Sequence, residues 1–488
     1  MYSAVVGAFL VATIVVYFLN NPLRHNRPFM VRRFTNWFPL GMTYAFLCMG
    51  RFNLIVAQGA LGTLMSKQDF GTIFFAGTWT YALSFLINGP LIDKKLGGKN
   101  GMLIAAIGSS LANILLGVLT YLAVTGHLHM RLLVPFSLIY SLNMYFQSFG
   151  AMSIMKVKSY WFHVRERGVF GAIFGTLISI GAYFAFDWSA AIISAAKVGA
   201  PSGWLHSLLR TAFGFGQSVD ATWAVFLVPA AILLFWMVLD VWIIKDTPEE
   251  AGFPYLDTCD ASSGHMDDQY TAMDLLKKIF ASPLMLMIAF VELASGVFRY
   301  SITQWYLAFA KDVPQSGAQF FADHWGFLQC VFGILGGFAG GVVSDRLFQS
   351  RRGPPAAMLC GLVLMLATLM QVCLFSSPLV VGWAAISIVM ASIGITSLMS
   401  GTAAVDFGGR KATATCMGVV DGFAYIGCGI QSIGLSRWLM PAYGWKSWPA
   451  FMIPFAIVGT LVAIKIWHKL PDATRKYLVT VEHRTKPV

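Results

Sequence analysis

Two arginines stand alone inside long apolar runs of this chain. Arg51 lies within Tyr44-Ala-Phe-Leu-Cys-Met-Gly-Arg51-Phe-Asn53, and Arg299 within Gly296-Val-Phe-Arg299-Tyr-Ser-Ile-Thr-Gln-Trp305. Each comes fourteen residues after the start of its run, at Trp37 and Met285 respectively. If the runs are helices, that offset places each guanidinium roughly 21 Å along the axis, deep inside a bilayer. A charge at such depth is costly unless it faces a cavity or a partner. A guanidinium also keeps its proton and presents a planar fork of donors, which suits a multiply charged oxyanion. The pair therefore reads as an anion-binding site. Two acids accompany it. Asp421 precedes Tyr425 by one helical turn, and Glu292 precedes Arg299 by two, so each pair shares a helix face. These carboxylates could neutralise the arginines or take a proton.

The elements that must carry these groups follow from composition. The 488 residues are 57% hydrophobic and 11% charged, with a mean hydropathy of +0.68. That leaves too little polar surface for a soluble protein of this length. Apolar runs long enough to span a bilayer as helices recur along the chain. They fall at about residues 2–19, then 36–62, 70–92, 102–124, 131–155, 168–190 and 222–244, then 285–308, 322–345, 355–375, 379–404, 411–436 and 447–468. The chain thus divides into an extra amino-terminal helix and basic connector (1–35), a six-helix bundle (36–244), a central loop (245–284), a second six-helix bundle (285–468) and a basic tail (469–488). The net charge of +12 sits on short connectors and signals topology, with no basic domain for nucleic acid. Connectors assigned to one side hold 25 of the 34 Lys and Arg, against seven on the other. This puts both ends of the twelve-span body in the cytoplasm and the start of the extra helix outside. Seven cysteines without a spaced framework, and no ligand cluster, P-loop or nucleophile triad, point away from metal, cofactor and enzyme.

The halves repeat. Arg51 precedes Gly89-Pro-Leu-Ile-Asp93-Lys-Lys by 42 residues to the aspartate, and Arg299 precedes Gly341-Val-Val-Ser-Asp345-Arg346 by 46. This arrangement resembles the major facilitator superfamily, whose fold is two six-helix bundles around a central cavity. Within it the chain resembles the organophosphate:phosphate antiporter family, the glycerol-phosphate, hexose-phosphate and phosphoglycerate permeases. The resemblance rests on Tyr44, Arg51 and Asn53, on Tyr160-Trp-Phe-His-Val-Arg-Glu166-Arg167-Gly168, and on Asp246-Thr-Pro followed by Gly252-Phe-Pro254. It continues through Arg299-Tyr300 with Trp305, Ser344-Asp345-Arg346 to Gly353, and Tyr425-Ile-Gly427. Two positions depart from that pattern: Phe85 replaces a basic residue of the second helix, and Ile178-Ser179 replaces a histidine of the fifth.

The resemblance implies an all-α, polytopic carrier that exchanges a phosphorylated small metabolite for inorganic phosphate by alternating access, without cofactor or metal. Arg51 and Arg299 would bind the phosphoryl group, with Tyr44, Asn53, Tyr425 and Trp305 lining the site. Asp421 and Glu292 would pair with the arginines or couple protons, and Asp93, Glu166, Arg167, Asp345 and Arg346 would gate. The expected partners are the small anion, inorganic phosphate and the lipid of a bacterial-type inner membrane, around a monomer. Two alternatives stay open: a proton-coupled carrier of a carboxylate or zwitterion that uses Asp421 or Glu292, and a carrier-like sensor of a sugar phosphate.

Overall fold

The computed structural model describes the backbone of residues 2–163, 166–195, 207, 211, 220–258, 272–314, 316–348, 351–400 and 404–468. The side chains of residues 167–172, 272, 275, 316, 342, 345, 346 and 404–413 lie outside that description, as does the 469–488 tail. Among the described residues every regular element is helical. We number them α1 (Tyr2–Leu19), α2 (Arg27–Ala60), α3 (Lys67–Leu91), α4 (Gly97–Val124), α5 (Leu133–Trp161), α6 (Arg167–Tyr183), α7 (Ala224–Ile243), α8 (Ala272–Ala281), α9 (Pro283–Asp312), α10 (Ser316–Asp323), α11 (Trp325–Val342), α12 (Gly353–Cys373), α13 (Pro378–Leu398), α14 (Ala404–Ile433) and α15 (Ser447–Lys465).

Local chemistry starts these helices where they start. The Asn26 side chain accepts the Phe29 N–H at the head of α2, and the Ser282 hydroxyl accepts the Met285 N–H at the head of α9. Ser66 and Asp69 form a reciprocal capping box for α3. By length and composition, nine stretches among the described residues can cross a membrane. Two of them, Lys67–Val124 and Ala414–Lys465, run through tight turns and hold two expected spans each. The other two expected spans are α5, which carries Asn143, Gln147, Lys156 and Lys158, and α11, whose apolar part is shorter. Each of the thirteen expected spans therefore has a helix among the described residues.

The sequence repeat has a backbone counterpart. Both Gly-x-x-x-Asp-basic segments form a π-helical turn after the second helix of their half, at Ile92–Leu96 and Val343–Leu347. The fifth helix of each half also runs into such a turn, at Phe184–Trp188 and Gly434–Leu439. Gly97 closes the first of these turns at φ 72°, a left-handed conformation open to glycine. A Cβ there would also strike the Asp246 carboxylate, 2.2 Å away. That carboxylate accepts the Lys99 N–H at 2.6 Å, and so docks the start of the central loop onto the head of α4.

Two seams join the halves. α3 packs along α14, and α6 packs along α11. α2 is held by α6 and α7, and α9 by α14, α13 and α15. The two arginine-bearing helices thus lie inside their bundles and face each other across the centre. α1 rests on α6 and α11, outside the body. Its exposed Val11, Val15 and Leu19 give it the lipid-facing surface of a membrane helix.

Candidate substrate site

Arg51 is 3% exposed and each of its three guanidinium nitrogens makes a hydrogen bond. Nε donates to Gln147 Oε1 (2.8 Å), Nη1 to the Tyr425 hydroxyl (2.5 Å) and Nη2 to the Tyr81 hydroxyl (3.1 Å). The Tyr81 ring also lies under the guanidinium, 4.7 Å from Cζ to the centroid. Tyr425 comes from α14, so this one side chain links the two halves. Gln147 is held in turn, because its Nε2 donates to Ser109 Oγ and Asn143 Oδ1, both at 3.2 Å. Asn143 Nδ2 donates to the Gly50 carbonyl at 2.9 Å, which closes a polar ladder among α2, α4 and α5. Tyr44, 8% exposed, stands on the same face of α2 two turns before Arg51.

Arg299 is in a different state. It is only half-buried, its Cζ lies 5.7 Å from the Tyr300 ring, and it makes no hydrogen bond with the described residues. The Tyr300 ring reaches within 5.4 Å of the Tyr425 ring and 6.2 Å of Phe52, which bridges the space between the arginines. The site therefore holds one cation clamped by aromatic hydroxyls and one with its donors free. Asp421 is within electrostatic reach of both arginines.

The structure draws Arg51, Tyr44 and Tyr425 together, with Arg299 and Asp421 close by. Two other expected site residues lie elsewhere. Asn53 is fully buried in the first bundle, where Nδ2 donates to Asn113 Oδ1 (2.8 Å) and the Val225 carbonyl (3.1 Å). Trp305 donates to Gln431 Oε1 at 3.0 Å in the α9–α14 seam. Both hold helices together. Tyr81 and Gln147, which the sequence did not single out, also meet Arg51, and Tyr300, named there only as part of a family pattern, lies beside Arg299. Uncharged polar residues in apolar helices are common, and only the fold says which of them meet a guanidinium.

Of the residues expected to gate, Asp93 sits at the seam between the halves and Glu166 sits within the first half. Asp93 Oδ2 accepts the Thr415 N–H (3.0 Å) and hydroxyl (2.8 Å) across α3 and α14, while Oδ1 accepts from Lys156 Nζ (2.9 Å). Glu166 takes both Arg33 guanidinium nitrogens, at 2.9 and 3.0 Å, with His25 at 3.5 Å. It sits in the connector between α5 and α6. There burial pushes the carboxyl up, but His25 and Arg33 outweigh that and hold its pKa down at about 2. The side chains of Arg167, Asp345 and Arg346 lie outside the described residues. At the opposite end, Lys67 pairs with Asp312, which also accepts from Trp445 Nε1 (3.0 Å), and Arg437 Nε donates to Thr72 (3.0 Å). Asp187 caps the neighbouring half by accepting the Gly326 and Phe327 N–H groups at 2.9 and 3.1 Å.

This geometry agrees with comparisons to known proteins. The profile of the Major Facilitator Superfamily matches residues 40–432. The chain is 24% identical to the glycerol-3-phosphate transporter of Bacillus subtilis (strain 168), over 83% of this chain and 85% of that protein. It is 22% identical to the membrane sensor protein UhpC of Escherichia coli (strain K12), over 87% and 89%. It is 20% identical to a probable hexose phosphate transport protein of Chlamydia trachomatis, over 84% and 85%. Its fold is like that of a bacterial homolog to the human lysosomal transporter Spinster in an inward-facing, unoccupied conformation, with a TM-score of 0.65 and 14% identity over 91% of this chain and 98% of that one. The chain is a multi-pass membrane protein of the transporter class, not an enzyme, and belongs to the major facilitator superfamily.

Proposed function

We propose that the protein exchanges a phosphorylated small metabolite for inorganic phosphate across a bacterial-type inner membrane by alternating access. The observation that carries this reading is the asymmetric arginine pair, with Arg51 clamped by Tyr81, Gln147 and Tyr425 and Arg299 unbonded. A phosphoryl group docks first on the free donors of Arg299. It then draws Arg51 off its tyrosines, because a charge-assisted bond to phosphate outcompetes one to a neutral hydroxyl. The two halves close around the bound anion, which offsets the repulsion between the guanidiniums in low dielectric. Without an anion that repulsion opposes the return step, so exchange is favoured over net flux.

Relatives named for glycerol-3-phosphate and hexose phosphate support a phosphorylated substrate. The basic connectors support cytoplasmic ends for the twelve-span body and an external start for α1, and we read the carrier as a monomer. In proteoliposomes preloaded with phosphate, labelled phosphate should accumulate and unlabelled organophosphates should compete. Empty vesicles should take up little. Equal uptake with and without internal phosphate would contradict exchange. A sensing role is the second reading, favoured by the similarity to a membrane sensor protein. It predicts ligand binding without counterflow.

A further inference from the structure

The arginine pair does not stand in a purely basic site. Glu292, two turns before Arg299 on α9, is fully buried at 0% exposure. The Thr396 hydroxyl lies beside it but engages Ser295 at 3.2 Å. By hydrogen-bond geometry, neither Glu292 carboxylate oxygen has a partner among the described residues. Arg299 and Asp421 are the charged groups within electrostatic reach of Glu292. Asp421 in turn reaches Arg51 and Arg299, with the Ser400 hydroxyl at its side. The Tyr300 hydroxyl, on a side chain 4% exposed, is likewise without a hydrogen-bond partner among the described residues. Two guanidiniums and two carboxylates give the site no net charge when both acids are ionised, the state that a bound ammonium favours. A lone phosphate ester would bring uncompensated negative charge into it, and Glu292 would stay without a partner, at the full desolvation cost of a buried polar group.

We infer that Glu292 and Asp421 form an ammonium subsite beside the phosphate-binding arginines, so that the substrate is a short zwitterion with a phosphoryl or phosphonyl group at one end and a primary amine at the other. The spacing along α9 fits such a molecule. Two helical turns place the Arg299 and Glu292 backbone positions about 10 Å apart along one face of α9, and both long side chains reach into that interval, so a ligand held by both is short. A two-carbon spacer between phosphorus and nitrogen gives such a short ligand. The ammonium supplies three donors, enough for both Glu292 oxygens and for Asp421. Tyr300 is placed to donate to the phosphoryl end.

This inference rests on the phosphate-carrier reading of the same site. The test is binding to the purified full-length protein of two isosteres, 2-aminoethyl phosphate and propyl phosphate, measured by calorimetry and by competition against labelled phosphate. The amine should bind at least about tenfold more tightly, as expected when a site built for a donor meets an analogue without it. In Glu292→Gln and Asp421→Asn the ratio between the two ligands should fall toward one, with thermal unfolding as the check on folding. Equal affinities in the wild type would overturn the ammonium subsite while leaving phosphate exchange intact. So would a preference that survives both substitutions, or carboxylate variants that alter only the pH dependence of propyl phosphate binding. Failure of phosphate itself to bind would instead sink the carrier reading beneath it.

Discussion

At the scale of residues, the arginines act through what holds them. Gln147 supplies the acceptor for Arg51 Nε and is anchored by Ser109 and Asn143. Gln147→Leu leaves a buried charged donor unsatisfied, so phosphate affinity should drop about tenfold in a binding titration. Asn53→Ala should instead lower thermal stability, because Asn53 bonds Asn113 and the Val225 carbonyl and touches no arginine. Glu166 is the residue with a pH signature. Its carboxyl, held at about 2 in the folded protein against an ordinary 4.5, contributes stability that is fully present above about pH 4.5 and is lost as pH falls toward 2. Glu166→Gln should therefore be less stable than wild type at neutral pH, by about 3 kcal/mol for a buried Arg33 left unpaired. The difference should shrink in acid, as thermal unfolding across pH would record. Arg51 and Arg299 could be read from sequence because a charge in an apolar run has few explanations. Tyr81 and Asp187 could not, since a tyrosine or a helix-end aspartate looks ordinary until the opposite half is in place.

At the scale of elements, close backbone approach sets the register of the site. A Cβ on Gly296 would lie 1.9 Å from the Ala424 carbonyl oxygen, so α9 and α14 touch there without a side chain between them. Ala424 directly precedes Tyr425, and Gly296 precedes Arg299 by one turn. Gly296→Ala should force the helices apart, lower stability by about 1–3 kcal/mol as other overpacked contacts do, and weaken phosphate binding together with it. Measuring the melting temperature and phosphate affinity of one preparation checks both. α1 is the element whose presence hydropathy announced and whose place it did not. Ser3 bonds the Tyr183 hydroxyl at 2.8 Å, and the Tyr2 ring lies 4.6 Å from Phe327, so its amino end touches both α6 and α11. Its other end carries Tyr17, which donates to the Met30 carbonyl (2.8 Å) and accepts from Arg33 (3.0 Å). Those contacts depend on tertiary packing, and no periodicity encodes them.

At the scale of the whole molecule, the two halves meet along α3–α14 and α6–α11, and transport requires those seams to part at one end at a time. Asp93 with Thr415 fastens one end of the first seam and Arg437 with Thr72 the other, where Lys67 also ties α3 to Asp312 of α9. Asp93→Asn weakens the first latch. Site-resolved maleimide labelling of Cys416, buried beside Thr415, should then rise above wild type, and unchanged labelling would assign Asp93 to folding instead. The repeat of arginine and Gly-x-x-x-Asp turn made the two-bundle plan readable in the chain. The pairing of one half with the other was not readable, because it rests on side chains that meet only after both bundles have formed. The most direct test of the central claim is phosphate counterflow in proteoliposomes by wild type, Arg51→Lys and Arg299→Lys. Lysine keeps the charge and removes the fork of donors. Counterflow that is robust in the wild type and collapses in both folded variants is the predicted result. Counterflow that persists at wild-type rate in either variant, or is absent from folded wild type, would contradict a phosphate site built on this arginine pair.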